Sequence, residues 1–335
     1  MKDIKNSNNL IDFVLMWVDG SDPEWQKEKS KYKTDGTKAN TVNRYRDWDN
    51  FQYWFRGIEK YAPWVNRIHI VTCGQVPKFL NTNHPKIHMV NHRDIIDEKY
   101  LPTFNSSAIE MNIFKIEGLT EHFVFFNDDF FLTNYLKPED FFINGVPVDE
   151  FAENPLNPST DVFENNMYNN MVVVSKYYDK PSVKKRLKGK YYNLKYGFNN
   201  IRTLLLSPYK HFVGFHNPHV AQPFLKSYFE KIYDLETDLV NSTTSHKFRD
   251  KGDVTQYLVR YFQLLDGNFI PRSRKFGKLF SISNDNSALV DAIINHKYKS
   301  ICTNDDEDTI DFEKAKKEIN DAFEKAFPEK SSFEK

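Results

Sequence analysis

The first 130 residues alternate short apolar runs with amphipathic segments, and this pattern restricts the fold more than any other feature of the chain. Four apolar runs predict strands, namely FVLMWV (13–18), RIHIVT (67–72), KIHMV (86–90) and HFVFF (122–126). Apolar residues at helical spacing predict helices over 51–61 and 106–119. Strands that alternate with helices predict an α/β fold with a mostly parallel sheet and flanking helices.

The second predicted helix has recognisable ends. Ser107 and Glu110 have the spacing of a capping box, and Gly118 lies where the helix is expected to stop. Capping alone explains Glu110. A capping carboxylate beside a crevice could also act as a base.

Charge and cysteine content exclude several classes of protein. Lysine plus arginine equals aspartate plus glutamate at 46 each, so no overall field favours nucleic acid. We expect a cytoplasmic protein, because the first residues lack an apolar signal segment and no run approaches the roughly 18 apolar residues of a spanning helix. Cys73 and Cys302 lack metal-binding spacing and are expected to be reduced thiols.

Acidic residues follow two of the predicted strands where each strand ends. Asp19 and Asp22 flank Gly20 after the first strand, and Asn127-Asp128-Asp129 follows the fourth. Two interpretations stay open: polar turns between apolar runs, or a ligand crevice at the carboxyl edge of a parallel sheet. In the second case four carboxylates converge, and their mutual repulsion requires a cation or a proton.

Two kinds of cation could neutralise this carboxylate cluster. Basic side chains are available at Arg44, Arg46 and Arg56, although a surface ion pair explains Arg56 equally well. The other candidate is a divalent cation, Mg²⁺ or Mn²⁺, bound by Asp128 and Asp129.

The second half of the chain is less regular and predicts a more helical region. Helical patterns occur at 223–235 and 253–265, and a terminal helix is expected within 301–335. We therefore divide the chain into an α/β core (1–150), an acceptor-side region that completes the same catalytic unit (151–300) and a C-terminal helix (301–335). A basic stretch over 180–195 could contact an anionic acceptor or lipid precursor at a membrane face, but a solvated loop explains it equally well.

Several long stretches resemble the Stealth proteins, a family of bacterial capsular and exopolysaccharide hexose-1-phosphate transferases. The resemblance rests on IDFVLMWVDGSDPEW, on DNFQYWFRGIEKYAPWVNRIHIVTCGQVPKFLNTNHPKIHMVNHRDI and on LPTFNSSAIEMNIFKIEGLTEHFVFFNDDFFL. Shorter matches are GFHNPHVAQPF and SHKFRDKGDVTQYLVRYF. The family is also similar to the catalytic core of the animal lysosomal-enzyme GlcNAc-1-phosphotransferase. The resemblance implies a nucleotide-sugar-transferase-like sheet.

The resemblance also implies a reaction and a set of site residues. Sugar-1-phosphate would pass from a UDP-sugar to a hydroxyl of a growing cell-surface polysaccharide, releasing UMP. The implied catalytic residues are Asp128, Asp129, His216, Arg249 and Glu110. The implied substrate-binding residues are Asp19, Gly20, Arg56, Asn105 and His219. His216 and His219 compete for the role of general base, and the lack of a strict Asp-x-Asp motif leaves the metal assignment to the adjacent pair Asp128 and Asp129.

Two other functions stay open at this level. One is a glycosyltransferase that uses the same donor and releases UDP, and the other is a non-catalytic glycan-binding protein. The expected partners are a UDP-sugar and a glycan acceptor that could be lipid-linked, without nucleic acid. Peripheral association with the inner face of the cell membrane would accord with such an acceptor.

Overall fold

A computed structural model describes residues 10–32, 46–157, 159–305 and 310–335. Its strands are β1 (Ile11–Met16), β2 (Ile68–Thr72), β3 (Ile87–Asn91), β4 (His122–Phe126), β5 (Phe130–Leu132), β6 (Phe142–Ile143), β7 (Val146–Asp149), β8 (Gln222–Leu225), β9 (Ile270–Pro271), β10 (Gly277–Ser281) and β11 (Ser300–Asn304). Its α-helices are α1 (Pro23–Ser30), α2 (Phe51–Tyr61), α3 (His92–Ile95), α4 (Ser106–Glu110), α5 (Val162–Tyr177), α6 (Lys180–Leu187), α7 (Asn199–Leu206), α8 (Lys226–Leu235), α9 (Thr237–Ser245), α10 (Gln256–Leu265), α11 (Ser287–Ile294) and α12 (Phe312–Ala326).

The main sheet has five strands in the order β3-β2-β1-β4-β8. The first four are parallel, and β8 runs antiparallel beside β4. Every residue of β2 is buried, as are Phe13, Val14 and Leu15 of β1, because helices and loops cover both faces of the sheet. The predicted α/β fold with a mostly parallel sheet is confirmed, and each of the four predicted strands is present within about two residues of its expected bounds.

The predicted helix over 106–119 is shorter than expected, and its capping box is wrong. The N-cap is Asn105, whose side chain accepts a hydrogen bond from the backbone N–H of Ser107 at 3.0 Å. The helix ends at Glu110 because the Asn112 side chain donates to the carbonyl of Ala108 at 2.8 Å. That carbonyl would otherwise accept the next helical bond, so the chain continues as a 3₁₀ turn.

The helix predicted over 223–235 also begins differently. Its first residues form β8, all four of which are buried, and α8 starts at Lys226. The segment is extended because it pairs with β4. Without this pairing, backbone N–H and carbonyl groups at the buried edge of β4 would lack hydrogen-bond partners. Helix α2 matches its predicted range, and α10 begins three residues later than predicted, with Thr255 as its N-cap.

The predicted regions on either side of residue 150 share one sheet, and both contribute residues to each of two hydrophobic clusters. Strand β8 comes from the second region, and the terminal helix α12 packs on α2, where Phe323 stacks on Tyr53 with ring centroids 5.5 Å apart. The segment 301–335 is more than a helix, since β11 occupies its first residues and pairs with β5 and β10. Within the described ranges, no helix is both long and apolar enough to span a bilayer.

Candidate functional site

A large cleft with a volume of about 1410 Å³ lies where β1 and β4 end. The loop after β1, the turn after β4 and the starts of α4 and α10 form its walls. Its lining includes seven of the predicted site residues, namely Asp19, Gly20, Glu110, Asp128, Asp129, His219 and Arg249. The carboxyl edge of the parallel strands therefore does carry a crevice, as expected for an open α/β sheet.

The Asp128-Asp129 pair lies on a tight turn between β4 and β5. The N–H of Phe130 donates to the carbonyl of Asn127 at 3.1 Å, which closes the turn. The backbone carbonyl of Asp129 accepts from the N–H of Thr303 at 2.9 Å, so β11 holds the turn from the other side. The two interpretations of this sequence are thus compatible, because the turn itself presents the carboxylates to the cleft.

The side chain of Asp129 has an incomplete set of partners. One carboxylate oxygen, Oδ2, accepts from the Cys302 thiol at 3.1 Å and lies 3.9 Å from Nε2 of His219. The other oxygen, Oδ1, is buried and has no hydrogen-bond partner in the described structure. A buried carboxylate oxygen without a partner is unfavourable, which indicates that a ligand or cation completes this position.

The surroundings of the pair raise the pKa of both carboxyl groups. The Asp128 side chain is accessible to water inside the cleft. Because the cleft walls surround it, its carboxylate is less fully hydrated than on an open surface, which raises the pKa of Asp128 to about 6. Burial, followed by the charge of Asp128, raises the pKa of Asp129 to about 7. A proton would be displaced from this site when a cation binds.

His219 faces Asp129 and is held by Tyr257. Its Nδ1 lies 3.1 Å from the Tyr257 hydroxyl, which leaves Nε2 directed at the carboxylate. Burial, reinforced by the charge of Arg249, lowers the pKa of His219 to about 4. The imidazole is therefore neutral at neutral pH and can accept a proton.

His216, the other predicted base, is not among the residues that line the cleft. Its Nδ1 lies 3.6 Å from Oε1 of Glu150, and its backbone carbonyl accepts from Arg260 at 2.9 Å. Burial lowers the pKa of His216 as well. Of the two histidines that the sequence left in competition, the structure places only His219 beside the Asp pair.

Glu110, Ser106 and Arg249 form a polar wall of the cleft. The Arg249 guanidinium donates twice to the Ser106 hydroxyl, from Nε at 3.0 Å and from Nη2 at 2.6 Å. Glu110 is buried, and its Oε2 lacks a hydrogen-bond partner in the described structure. Burial raises the pKa of Glu110, while the charge of Arg249 opposes that shift.

The loop after β1 is shaped by local hydrogen bonds. Asp19 accepts from the N–H and hydroxyl of Ser21 at 2.9 and 2.6 Å. The Gln75 side chain bonds both the N–H and the carbonyl of Asp19, and also the carboxylate of Asp22 at 2.9 Å. Asp22 in turn caps helix α1. These two aspartates therefore build the loop, and Gly20 presents its backbone to the cleft.

Two predicted substrate-binding residues lie elsewhere, and the expectation for them is corrected. Arg56 contacts the C-terminal segment, with its Nε 2.9 Å from Oε1 of Glu334 and its Nη1 2.8 Å from the Phe327 carbonyl. Asn105 is buried and caps α4 while donating to Asp253 at 2.8 Å. Of the other basic candidates, Arg46 lines the cleft and Arg44 lies outside the described residues.

Several cleft residues were missed at the level of sequence. They are Gln75, Ser106, Tyr257 and Thr303, and a fifth missed residue, Cys302, is buried beside Asp129. These uncharged side chains and backbone groups hold the predicted residues in place. Cys302 lies 173 positions after Asp129, and no local pattern links two residues that a strand pairing brings together.

The geometry fits a divalent cation at Asp129. Ligand atoms of Asp129, His219 and Cys302 lie within 4.8 Å of one another, and Asp128 is adjacent in the turn. The unpartnered Oδ1 of Asp129 offers a further oxygen ligand. Carboxylate oxygens suit Mg²⁺ or Mn²⁺, whereas a thiol and an imidazole are donors typical of Zn²⁺ sites. Asp128 and Asp129 are therefore the residues that would hold Mg²⁺ or Mn²⁺, and His219 is not needed as a ligand.

Comparison with known proteins identifies the family. Models of conserved regions 1 and 2 of the Stealth proteins match residues 11–37 and 44–148. The chain is 43% identical over 328 residues to the capsular polysaccharide phosphotransferase WcwK of Streptococcus pneumoniae, covering 97% of this chain and 98% of that protein. This chain belongs to the Stealth family.

Other relatives of the Stealth family cover the chain equally well. The exopolysaccharide phosphotransferase cps2G of Lactiplantibacillus plantarum is 40% identical over 97% of this chain and 96% of its own length. The receptor polysaccharide phosphotransferase WefC of Streptococcus oralis is 38% identical over 97% and 99%. Among solved structures, the galactosyltransferase LgtC in complex with donor and acceptor sugar analogues has a TM-score of 0.36 at 10% identity, covering 92% of this chain and 95% of that one. A likeness at this level carries no argument about this protein.

Proposed function

We propose that this Stealth protein transfers sugar-1-phosphate from a UDP-sugar to a hydroxyl of a growing cell-surface polysaccharide. The acceptor oxygen forms a bond to the sugar-proximal phosphorus, and the bond from that phosphorus to the bridging oxygen breaks. UMP leaves with the bridging oxygen, the hydroxyl proton passes to a base, and a phosphodiester remains in the glycan. The similarity to polysaccharide phosphotransferases over nearly the whole chain supports this reaction class.

The observation that carries the proposal is the convergence of Asp129, His219, Glu110 and Arg249 on one cleft. Phosphoryl transfer needs positioned charge around the diphosphate and a group that receives a proton. Arg249 supplies a planar cation suited to phosphate oxygens, and its bonds to Ser106 fix its orientation. Glycan binding alone would not require this combination.

His219 is the better placed of the two histidines to receive the acceptor proton. Its Nε2 lies 3.9 Å from Asp129, whose ionised carboxylate would stabilise the imidazolium that forms. Tyr257 holds the ring from the opposite nitrogen. Asp128 and Asp129 would hold a divalent cation, Mg²⁺ or Mn²⁺, which supplies neutralisation of the diphosphate charge.

Product analysis tests the reaction directly. The protein would be incubated with Mg²⁺ or Mn²⁺, a panel of UDP-sugars and a glycan acceptor, and the nucleotide products separated. UMP together with a phosphodiester-linked sugar is the expected result. UDP together with a plain glycosidic product would replace the proposal with ordinary glycosyl transfer, and glycan binding without donor turnover would leave only a binding protein.

The two histidines offer a matched pair of variants. We expect His219→Gln to lower kcat by roughly 10²- to 10⁴-fold, the usual contribution of a general base, with a smaller change in KM. His216→Gln should lower kcat by no more than about tenfold, because the residue does not line the cleft. Equal losses in kcat, with both variants folded by circular dichroism, would contradict the assignment of His219.

Cation affinity should depend on pH in a defined direction. Because Asp128 and Asp129 have pKa values raised to about 6 and about 7, both carboxyls bind protons below these values and lose their attraction for a cation. We expect the affinity for Mn²⁺, measured by calorimetry, to rise as the pH increases through about 6 to 7 and then to level off. Aspartates with ordinary pKa values near about 4 are ionised from pH 5 to 8 and would give a constant Mn²⁺ affinity over that range. A constant affinity would therefore contradict cation binding at Asp128 and Asp129.

A further inference from the structure

One region of the surface concentrates exposed apolar side chains. Of the fifteen large hydrophobic residues that are exposed in the described chain, six lie between positions 194 and 209. We call this region the α7 surface; its members are Leu194, Phe198, Ile201, Leu204, Leu205 and Tyr209. Leu194 is 97% exposed and Phe198 is 77% exposed. Single exposed hydrophobic residues are ordinary, but a cluster of this kind marks an interaction surface.

Helix α7 is poorly supported by the rest of the protein. Thr203 is its only buried residue, while Ile201, Leu204 and Leu205 face solvent. A helix of eight residues has little stability of its own and normally depends on burying an apolar face. We therefore expect a partner to cover the α7 surface.

The charge of the surrounding segment specifies the kind of partner. Residues 180–211 contain nine lysine or arginine residues and no aspartate or glutamate, whereas the whole chain has 46 of each sign. Arg274 adds a further cation, 5.8 Å from the Phe198 ring. Among the acids that contact this segment, Glu150 and Glu153 are buried, and Lys180 is buried with Glu153 as its ion-pair partner. The exposed Asp179 caps α6 just before the segment begins. From residue 180 to residue 211, the exposed charge is thus of one sign.

Bulky aliphatic and aromatic residues bordered by lysine and arginine suit an anionic bilayer. Apolar side chains can enter the boundary between headgroups and acyl chains, while the cations remain at the level of the phosphates. Protein–protein interfaces are, by contrast, depleted in lysine relative to the rest of the surface. We propose that the α7 surface docks the protein on an anionic lipid bilayer.

Helix α7 is linked by side-chain contacts to the loop that carries the proposed base. Asn199 of α7 donates to Glu150, and Glu150 lies 3.6 Å from His216. Three residues further along the chain, His219 lines the cleft beside Asp129. The α7 surface is therefore connected through two side-chain contacts to the loop that carries the proposed base.

The test is binding of the full chain to vesicles, measured by co-sedimentation. Vesicles would contain equal parts of phosphatidylglycerol and phosphatidylcholine, or phosphatidylcholine alone. We expect binding to the anionic vesicles, a loss of roughly tenfold or more in phosphatidylcholine alone, and a strong decrease as salt is raised. No turnover is required, so the outcome is separate from that of the reaction proposed above.

A matched pair of double variants, each of which adds two negative charges, gives the control. Leu204→Glu/Leu205→Glu should lower partitioning onto anionic vesicles by roughly tenfold or more, because both residues would enter the boundary region. Tyr168→Glu/Val172→Glu adds the same charge on the exposed face of α5 and should bind as the unaltered protein does. Circular dichroism confirms that both variants are folded, and turnover of a water-soluble acceptor should be equal in both.

Three results would overturn the proposal. The first is failure of the unaltered protein to bind anionic vesicles. The second is equal vesicle binding by Leu204→Glu/Leu205→Glu and the unaltered protein. The third is a concentration-dependent dimer that only Leu204→Glu/Leu205→Glu disrupts, without vesicle binding, which would assign the α7 surface to a second copy of this chain.

Discussion

Asp129→Asn is expected to abolish most of the activity and to stabilise the fold at the same time. Removing the carboxylate eliminates a cation ligand and the anion that supports His219, so we expect kcat/KM to fall by roughly a thousandfold or more. The variant keeps the shape of the side chain and an oxygen that the Cys302 thiol can contact. A loss of activity would therefore reflect charge rather than packing.

The stability effect follows from the raised pKa of Asp129. Its folded-state pKa is about 7, against an ordinary value of 3.8, so the native state binds a proton more tightly than the unfolded chain. The resulting cost to stability is absent below about pH 3.8, grows between these values and is complete above about pH 7. Asparagine removes this cost, which means that the gain should be largest above neutral pH.

We expect Asp129→Asn to raise the free energy of unfolding by about 1 to 3 kcal/mol near pH 8 in the absence of divalent cations. The gain is smaller than the full pKa shift implies, because a quarter of the side chain remains exposed and Asp128 shares the effect. It should vanish near about pH 4, where both proteins are neutral at this position. Chemical denaturation at the two pH values measures it.

The exposed Asp97 provides the matched control for this experiment. Asp97→Asn removes a carboxylate whose side chain is 66% exposed, so its effect on stability should stay within about 0.5 kcal/mol at both pH values. A less stable Asp129→Asn near pH 8 would contradict the electrostatic account. Loss of a single charge-stabilising group usually lowers activity by roughly 10²-fold or more. A loss of less than about tenfold in Asp129→Asn would therefore show that Asp129 has no direct role in the reaction.

Local patterns in the sequence were sufficient for the parallel sheet and for the carboxylate turn. Strands β1, β2 and β4 are buried on both faces, so their sequences are mostly uninterrupted apolar runs. Such runs can be recognised as strands, in their order along the chain, without any tertiary information. The turn residues Asp128 and Asp129 interrupt two apolar runs and so were visible without any tertiary information.

Long-range contacts explain what sequence patterns did not predict. Arg56 looked available for the cleft because its partner Glu334 lies 278 positions later in the chain. The local pattern predicted a helix over most of β8, and only its pairing with β4 makes this segment a strand. The choice between His216 and His219 also depends on tertiary structure, because both belong to one short loop and only the side-chain surroundings separate them.

The loop that carries both histidines is held by the fully buried Arg260. All five N–H groups of its guanidinium are used: two bond Asp149, at 2.8 and 3.1 Å, and one bonds the Glu150 carbonyl at 2.7 Å. The remaining two bond the His216 carbonyl and the Asn217 side chain, each at 2.9 Å. Arg260 thus joins α10 and the end of β7 to the loop that leads to the cleft.

Arg260→Met should therefore cost about 3 to 5 kcal/mol of unfolding free energy, as expected when one partner of a buried ion pair is removed. Burial alone would raise the pKa of Asp149, and the charges of Arg260 and Arg272 lower it instead. Without Arg260, this carboxylate keeps neutral hydrogen bonds from the Gln222 side chain and the Glu150 N–H, each at 2.7 Å, but its charge is balanced only by the longer contact with Arg272 at 3.3 Å among the described residues. Chemical denaturation near neutral pH measures the loss.

Arg272→Met is the comparison that separates positioning from general stability. Its contacts are longer, at 3.3 to 3.5 Å, and none of them reaches the 216–219 loop, so it should cost less stability than Arg260→Met. We expect Arg260→Met to lower kcat, because the loop that carries His219 loses its support. The kcat of Arg260→Lys should lie between those of Arg260→Met and the unaltered protein, because lysine keeps the charge but offers three donors instead of five. If Arg260→Met and Arg272→Met lowered kcat equally at temperatures where both are folded, Arg260 would have no specific role in positioning His219.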